Sequence, residues 1–255
     1  MHQRFIASAA SVAICLAALT GCSQAYTGPS TTQEREIEMV SAVELDTSGE
    51  LNVTRGGHTA LTVTAGENVI DRLTSEVKDE VLHLGIDGEP LAWGGDIRYE
   101  LTVPTVDAIS VLGSGEATVD FTGAAEPIIL VEGSGSVHAN GIAADSASMT
   151  VNGSGSIAAQ DIDAQKLATK IDGAGEITVN GRTDEHEVEV RGSGGYYAHD
   201  LESTNARVVI GGSGTADVFV SGALDATIDG SGEIRYAGSP EIMQDISGSG
   251  EVVPR

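Results

Sequence analysis

Apolar and polar residues alternate along most of this chain. From residue 105 onward the alternation is interrupted at a nearly constant interval by the tripeptide Gly-Ser/Ala-Gly, beginning at Gly113, Gly133, Gly153, Gly173, Gly192, Gly212, Gly230 and Gly248. Two residues before each first Gly stands a Val or Ile, from Val111 to Ile246. Two and four residues after each second Gly the column is again mostly apolar, as in Val137 and Ala139 or Ile177 and Val179. Apolar positions two apart with Ser, Thr, Glu, Asp, Arg and His between them are strand alternation. A period near 20 residues marks a solenoid, in which each repeat is one coil that buries its apolar face only against its neighbours.

Each tripeptide is then a corner between two short strands, where Gly supplies backbone angles that other residues avoid. A second corner follows at Asn140-Gly141, Gln160-Asp161, Asn180-Gly181 and His199-Asp200, all turn-forming types. Beyond it Ile142, Ile162 and Leu201 turn inward, and Ala147, Leu167, Ala206, Leu224 and Ile242 begin the strand that leads back to the next tripeptide. The expected fold is all-β, a right-handed parallel β-helix or β-roll-like solenoid of about 20-residue coils with Gly-Ser-Gly corners. Eight coils at about 4.8 Å each would form a rod of roughly 38 Å. Asn-Gly between alternating runs also suits a meander of hairpins, but hairpins repeat with two unlike turns and so many short strands would need a partner layer. A calcium-binding nonapeptide roll repeats Gly and Asp at half the period seen here.

Residues 37–104 lack the tripeptide and still read as strands. Met39 to Leu45 and Glu50 to Arg55 flank the turn Asp46-Thr47-Ser48-Gly49, and Ala60 to Thr64 alternates cleanly. Asn68 to Lys78 fits both periods; a strand is preferred because Asp79-Glu80 and the alternating run Val81 to Ile86 make it a hairpin partner. Residues 89–95 are read as a loop and Asp96 to Val103 as a strand.

Residues 1–21 are read as an address. Arg4 precedes an apolar run from Phe5 to Leu19, too short for a membrane span and suited to a secretory signal. It ends in Leu19-Thr20-Gly21-Cys22, which resembles the bacterial lipobox and implies cleavage after Gly21 and a diacylglyceryl thioether on Cys22. Of the two Cys, Cys15 lies inside the signal, so the mature chain keeps one thiol and no disulfide. Residues 22–36 read as the lipidated Cys and a flexible tether, and 37–255 as a single β domain, with non-repeat strands over 37–104 and repeat coils over 105–255.

The net charge of −25 and the content of 33 Gly suit a turn-dense acidic β protein. They disfavour nucleic acid and anionic lipid surfaces as partners. The chemistry-bearing residues are sparse in pattern. The Ser of the tripeptide recurs in seven coils, which fits a corner residue and not a nucleophile. The His residues lack zinc spacing. His186 falls in the inward column, where its ring is expected to bond to backbone. The densest carboxylate row is Glu185, Glu187 and Glu189, the candidate cation site. Trp93 and Tyr197 are the aromatic candidates for surface binding. Asp172 and Arg191 share an outward column in adjacent coils, as do Glu132 and Asn152. No catalytic residue and no cofactor are indicated.

The half beginning Glu50-Leu51-Asn52-Val53, the Val103-Pro104 before the first tripeptide, and the recurring Val151-Asn152-Gly153-Ser154-Gly155 and Ile171-Asp172-Gly173-Ala174-Gly175 together resemble the bacterial family called "putative auto-transporter adhesin, head GIN domain", over roughly residues 38 to 250. The resemblance implies a β-helix-like fold and an exported, often lipid-anchored protein, and brings no catalytic residues. The expected function is an exported, lipid-anchored cell-envelope protein facing the extracytoplasmic side, with a non-catalytic adhesin-like binding or spacer module. Its expected partners are the membrane through Cys22, a cell-wall glycan or protein ligand, and further copies end to end. The alternative is a polysaccharide-active β-helix enzyme.

Overall fold

The computed structural model describes residues 28–88 and 96–255; Cys22 and Trp93 lie outside them. The first half contains β1 (Ser30–Arg35), β2 (Ala42–Leu45), β3 (Glu50–Arg55), β4 (Ala60–Gly66), the one-turn helix α1 (Glu67–Ile70), β5 (Leu73–Lys78), β6 (Val81–Ile86) and β7 (Arg98–Val103). The repeats supply β8 (Ala108–Val111), β9 (Glu116–Asp120), β10 (Ile128–Gly133), β11 (Ser136–Asn140) and β12 (Ala143–Gly153). Four long strands that run round a corner follow: β13 (Ser156–Gly173), β14 (Glu176–Gly192), β15 (Gly195–Gly212) and β16 (Thr215–Gly230). The chain ends in β17 (Glu233–Gly238), β18 (Glu241–Gly248) and β19 (Glu251–Pro254).

Adjacent coils pair in parallel and in step. Val131 lies beside Val151, Val151 beside Ile171, and Ile171 beside Val190. This register makes the fold a β-solenoid of about seven turns and excludes the meander. One wall stacks β7, β3, β9 and β11, then the first parts of β13 to β16, then β17 and β19. Another stacks β6, β2, β8, β10 and β12, then the last parts of β13 to β16 and β18. Residues 143–146, 163–166, 182–185 and 202–205 form a short third wall between them.

The corner explains both glycines of the tripeptide. Gly153 has φ 129°, and a Cβ there would come within 2.4 Å of the Gly133 carbonyl oxygen of the preceding coil. Gly155 would meet the Gly135 carbonyl oxygen at 2.4 Å and a Val131 methyl at 2.6 Å. The first Gly is thus fixed by backbone angle and close approach, the second by close approach alone. Ser154 N donates to Gly133 O at 2.8 Å and Ala174 N to Gly153 O at 2.9 Å, so the parallel ladder continues round the bend. No backbone polar group needs to be left unpaired there.

The first half is part of the same solenoid. β2 and β3 are inserted between β6 and β7 on one side and β8 and β9 on the other. Thr47, Ser48 and Gly49 occupy the corner column ahead of the first tripeptide, since a Cβ on Gly115 would meet Thr47 O at 2.5 Å. The expected hairpin forms: β5 pairs antiparallel with β6 through Asp79 and Glu80 at φ 51° and 64°, the angles of a type I′ turn. Residues 67–70 ahead of it are helical, because Val69 and Ile70 reach the core from one turn.

Residues 30–35, expected as part of the tether, form a strand. β1 adds to β4 in antiparallel pairing, and Arg35 donates to Ile70 O at 3.0 Å and to Ser75 Oγ at 3.1 Å. The described β structure therefore takes in residues 30–35. Alternating Thr and Gln, polar enough to read as linker, also serve as a solvated edge strand.

The core is the inside of the coil. Among the described residues the buried apolar side chains run from Val40 to Ile234.

Candidate functional site: a groove on the short wall

The third wall is short because the chain turns twice within a few residues. Its inward column holds small side chains, Ala144, Ala164, Thr183 and Ser203 in successive coils, and so the wall sinks between its neighbours. The result is an open groove of about 820 Å³ running along the rod, from Ala124 and Ala125 at one end to Phe219 and Ser221 at the other. Six coils contribute, so its length is roughly 24 Å at about 4.8 Å per step.

The floor is internally satisfied. Thr183 Oγ1 lies 3.2 Å from Glu185 O, Ser221 Oγ donates to Ser203 O at 3.1 Å, and Ser203 Oγ donates to Phe219 O. The rim carries the charge: Asp145, Asp163, Asp184 and Glu202 face a single guanidinium, Arg182. Asp163 takes Arg182 in a two-point contact, with Nε to Oδ1 at 2.8 Å and Nη2 to Oδ2. This hydrogen bonding holds the Asp163 carboxyl below its ordinary range and pushes Arg182 up. A lowered carboxyl is poorly suited to donating a proton at neutral pH. The groove therefore suits an extended, hydroxylated or basic ligand and repels a polyanion, because its one cation is already committed.

The residues singled out from sequence are scattered by the structure. Glu185, Glu187 and Glu189 share one face of β14, but each has its own partner: Asn205 Nδ2 at 3.0 Å, Lys166 Nζ at 3.2 Å, and Arg191 respectively. Among the described residues no three His, Cys, Asp or Glu side chains converge to hold a metal. Asp172 pairs with Lys170 at 2.8 Å and leaves Arg191 to Glu189, while Asn152 reaches Glu132 at 3.4 Å as its column implies. Tyr197 faces outward on a wall away from the groove, its ring folded over Gly195.

His186 is inward, as its phase requires, and 2% exposed. Its ring does not bond to backbone: Nε2 lies 2.6 Å from Tyr196 Oη, while Nδ1 has no partner. Thr169, from the coil before, also hydrogen-bonds the Tyr196 hydroxyl. Burial pushes the imidazole down to about 3.

The groove itself was missed by sequence reasoning. Its trace in the sequence was the column of Ala, Ala, Thr and Ser at one coil spacing, but the inward column Ala139, Ala159, Val179 and Ala198 is about as small, so side-chain size alone did not mark it.

Fold and site together define a parallel β-solenoid with an elongated, acidic lateral groove. The chain belongs to the family described as "putative auto-transporter adhesin, head GIN domain", which matches residues 41–240. Among solved structures it is similar to one from Parabacteroides distasonis named a putative lipid binding protein, at 28% identity and TM-score 0.81, covering 89% of this chain and 97% of that one. A putative adhesin from the same organism matches at 24% identity and TM-score 0.81, over 89% of this chain and 98% of the other. One from Bacteroides fragilis matches at 22% and 0.65, over 89% and 96%. The last two likenesses concern the fold. No curated protein matches. The family and these structures are named adhesins or lipid-binding proteins, not enzymes.

Proposed function

We propose that this protein is an exported envelope module, anchored through a lipid on Cys22, that holds an extended neutral or basic polymer along its groove without chemistry. The groove is the observation that carries the reading: it crosses six coils, its floor hydroxyls are satisfied, and its rim sets four carboxylates against one committed guanidinium. A cell-wall glycan or a protein strand fits that description, with about seven residues of extended peptide matching its length. Export is supported by residues 1–21 and by the adhesin-like family. A lipid ligand, which the name of the 28% identical relative carries, suits a floor of Ala, Thr and Ser poorly. At the open end of the rod the partner is another copy of the chain.

The test is retention of residues 28–255 on neutral, amino-bearing and uronate-rich glycans and on basic peptides, with soluble products assayed in parallel. Retention by the neutral or amino-bearing matrices, lost in Thr204→Trp, which sets an indole on the exposed rim, is the expected result. Release of oligosaccharides would turn the reading towards the polysaccharide-active enzyme.

A further inference from the structure

The two ends of the rod differ. At the first, β4 and β5 pair antiparallel with β7 and β6, and Leu61, Val63, Val69, Ile70 and Leu73 of the β4 to β5 segment are buried. At the other, no such cap is present among the described residues. β18 lies against β16 on one side only, and all eight of its residues are exposed. Its inward positions Ile242, Gln244 and Ile246 stack on Leu224, Ala226 and Ile228, which are buried to within 1%. The second side of Ile242 and Ile246 faces water, at 37% exposure each. Gln244 stands where the coils before it place Ala226, Val208 and Val188. An edge of this kind, with free N–H and C=O groups and an apolar side, is a template for strand addition.

We propose that β18 pairs antiparallel with β18 of a second copy, about a twofold axis through Gln244; this deepens the reading that copies meet at the open end. With the axis there, Ile242 lies opposite Ile246 of the other copy, and Ile246 opposite Ile242. Gln244 lies opposite itself. An amide both donates and accepts, so two Gln244 side chains satisfy each other. Met243 then faces Asp245, and Glu241 faces Ser247. Moving the axis to Met243 sets Glu241 against Asp245, and moving it to Asp245 sets that acid against itself; like charges directly opposite destabilise a pair. A half-step turns the Ile residues away from the core side. One register therefore matches the apolar positions without opposing acids.

Other occupants fit less well. Residues 1–27 enter at Gly28, which packs near Glu67 and Asn68 at the sealed end, a rod's length away. On the wall of β18 the outermost strand of that end is β5, which pairs only with β6; its free edge is partly covered, since Arg35 of β1 donates to Leu73 O and to Ser75 Oγ, which disfavours a head-to-tail stack.

Residues 28–255 contain no Cys, so single cysteines report the geometry. Sedimentation should show a monomer–dimer equilibrium with nothing larger. Gln244→Cys should form a disulfide-linked dimer at least about tenfold faster than the side-wall control Thr118→Cys, because the axis holds the two thiols together. Ile242→Cys mixed with Ile246→Cys should cross-link faster than either alone. Gln244→Lys should weaken the dimer at least about tenfold by opposing two ammonium groups; it should leave the thermal transition of the monomer unchanged, since this side chain is exposed there. A monomer at every concentration, a ladder of larger species, equal rates for positions 244 and 118, or an intact dimer in Gln244→Lys would each overturn the pairing. Glycan retention measured on Gln244→Lys keeps the groove reading separate, because the groove lies on a different wall.

Discussion

Acidification isolates the buried His186. In the folded chain its imidazole is neutral down to about 3, because burial opposes the charged form; in the unfolded chain it protonates near the ordinary 6.5. Above pH 6.5 both states are neutral and the residue contributes no pH dependence. Between 6.5 and about 3 the unfolded chain binds a proton that the folded chain cannot, so stability falls as pH falls, by about 1.4 kcal/mol per unit. From pH 7 to 4.5 the loss is roughly 2.7 kcal/mol, or about 5–10 °C in a domain of this size. The many carboxylates titrate over part of the same range, so the comparison is with His186→Leu, which matches Leu167 and Leu224 in the same column. Urea unfolding of both proteins at the two pH values gives four stabilities. At pH 7 the variant should lie within about 1 kcal/mol of the parent, since the orphaned Nδ1 disappears along with one bond to Tyr196. At pH 4.5 the variant should gain roughly 2.7 kcal/mol on the parent. Equal acid sensitivity in the two proteins would refute the reasoning, because it would mean that His186 takes up its proton without unfolding.

Three further outcomes follow from the geometry. Gly153→Ala places a methyl 2.4 Å from the Gly133 carbonyl oxygen at φ 129° and should cost at least about 2 kcal/mol in urea unfolding, whereas Gly57→Ala, with nothing within 4 Å, should change it by no more than about 0.5 kcal/mol. Asp184→Lys with Glu202→Lys reverses the charge of the groove rim and should shift glycan retention from neutral or amino-bearing matrices towards uronate-rich ones, read by affinity chromatography. Cys22→Ala should abolish lipid incorporation and move the protein from the membrane fraction to the soluble fraction, read by metabolic labelling and fractionation.

What was legible in the chain was what repeats. The Val and Ile columns around each tripeptide gave the strands and their inward faces and favoured parallel stacking over a meander, which the observed register then excluded. Strand order in the first half was hidden. Nothing in the alternation of Val43 and Leu45 says that β6 and β7, made later, flank them on one side. The turn at Thr47 to Gly49 was readable, but its place in the corner column was not, because Thr47 stands in place of the first Gly, in a coil where the close approach that demands Gly begins only with the next one. The phase of His186 was readable and its partner was not, since the Tyr196 contact depends on how neighbouring coils interlock. The groove escaped for a similar reason. Its concavity comes from a short wall set between two corners, which no single column announces, and its charge from columns that look like ordinary solvated surface until they are set side by side.

The polarity of the rod has a consequence for reach. Gly28 leaves from the sealed end, and from β5 there to the open edge of β18 the wall takes ten strand-to-strand steps, roughly 48 Å at about 4.8 Å each. Two copies joined edge to edge at β18, as proposed, would hold their Gly28 residues at opposite poles of a doubled rod about 100 Å long. If both poles are tethered, such a pair cannot stand upright side by side on one sheet of lipid. A pair tethered at both poles either lies flat along one surface or bridges two surfaces that face each other, each presenting the same molecule to the other.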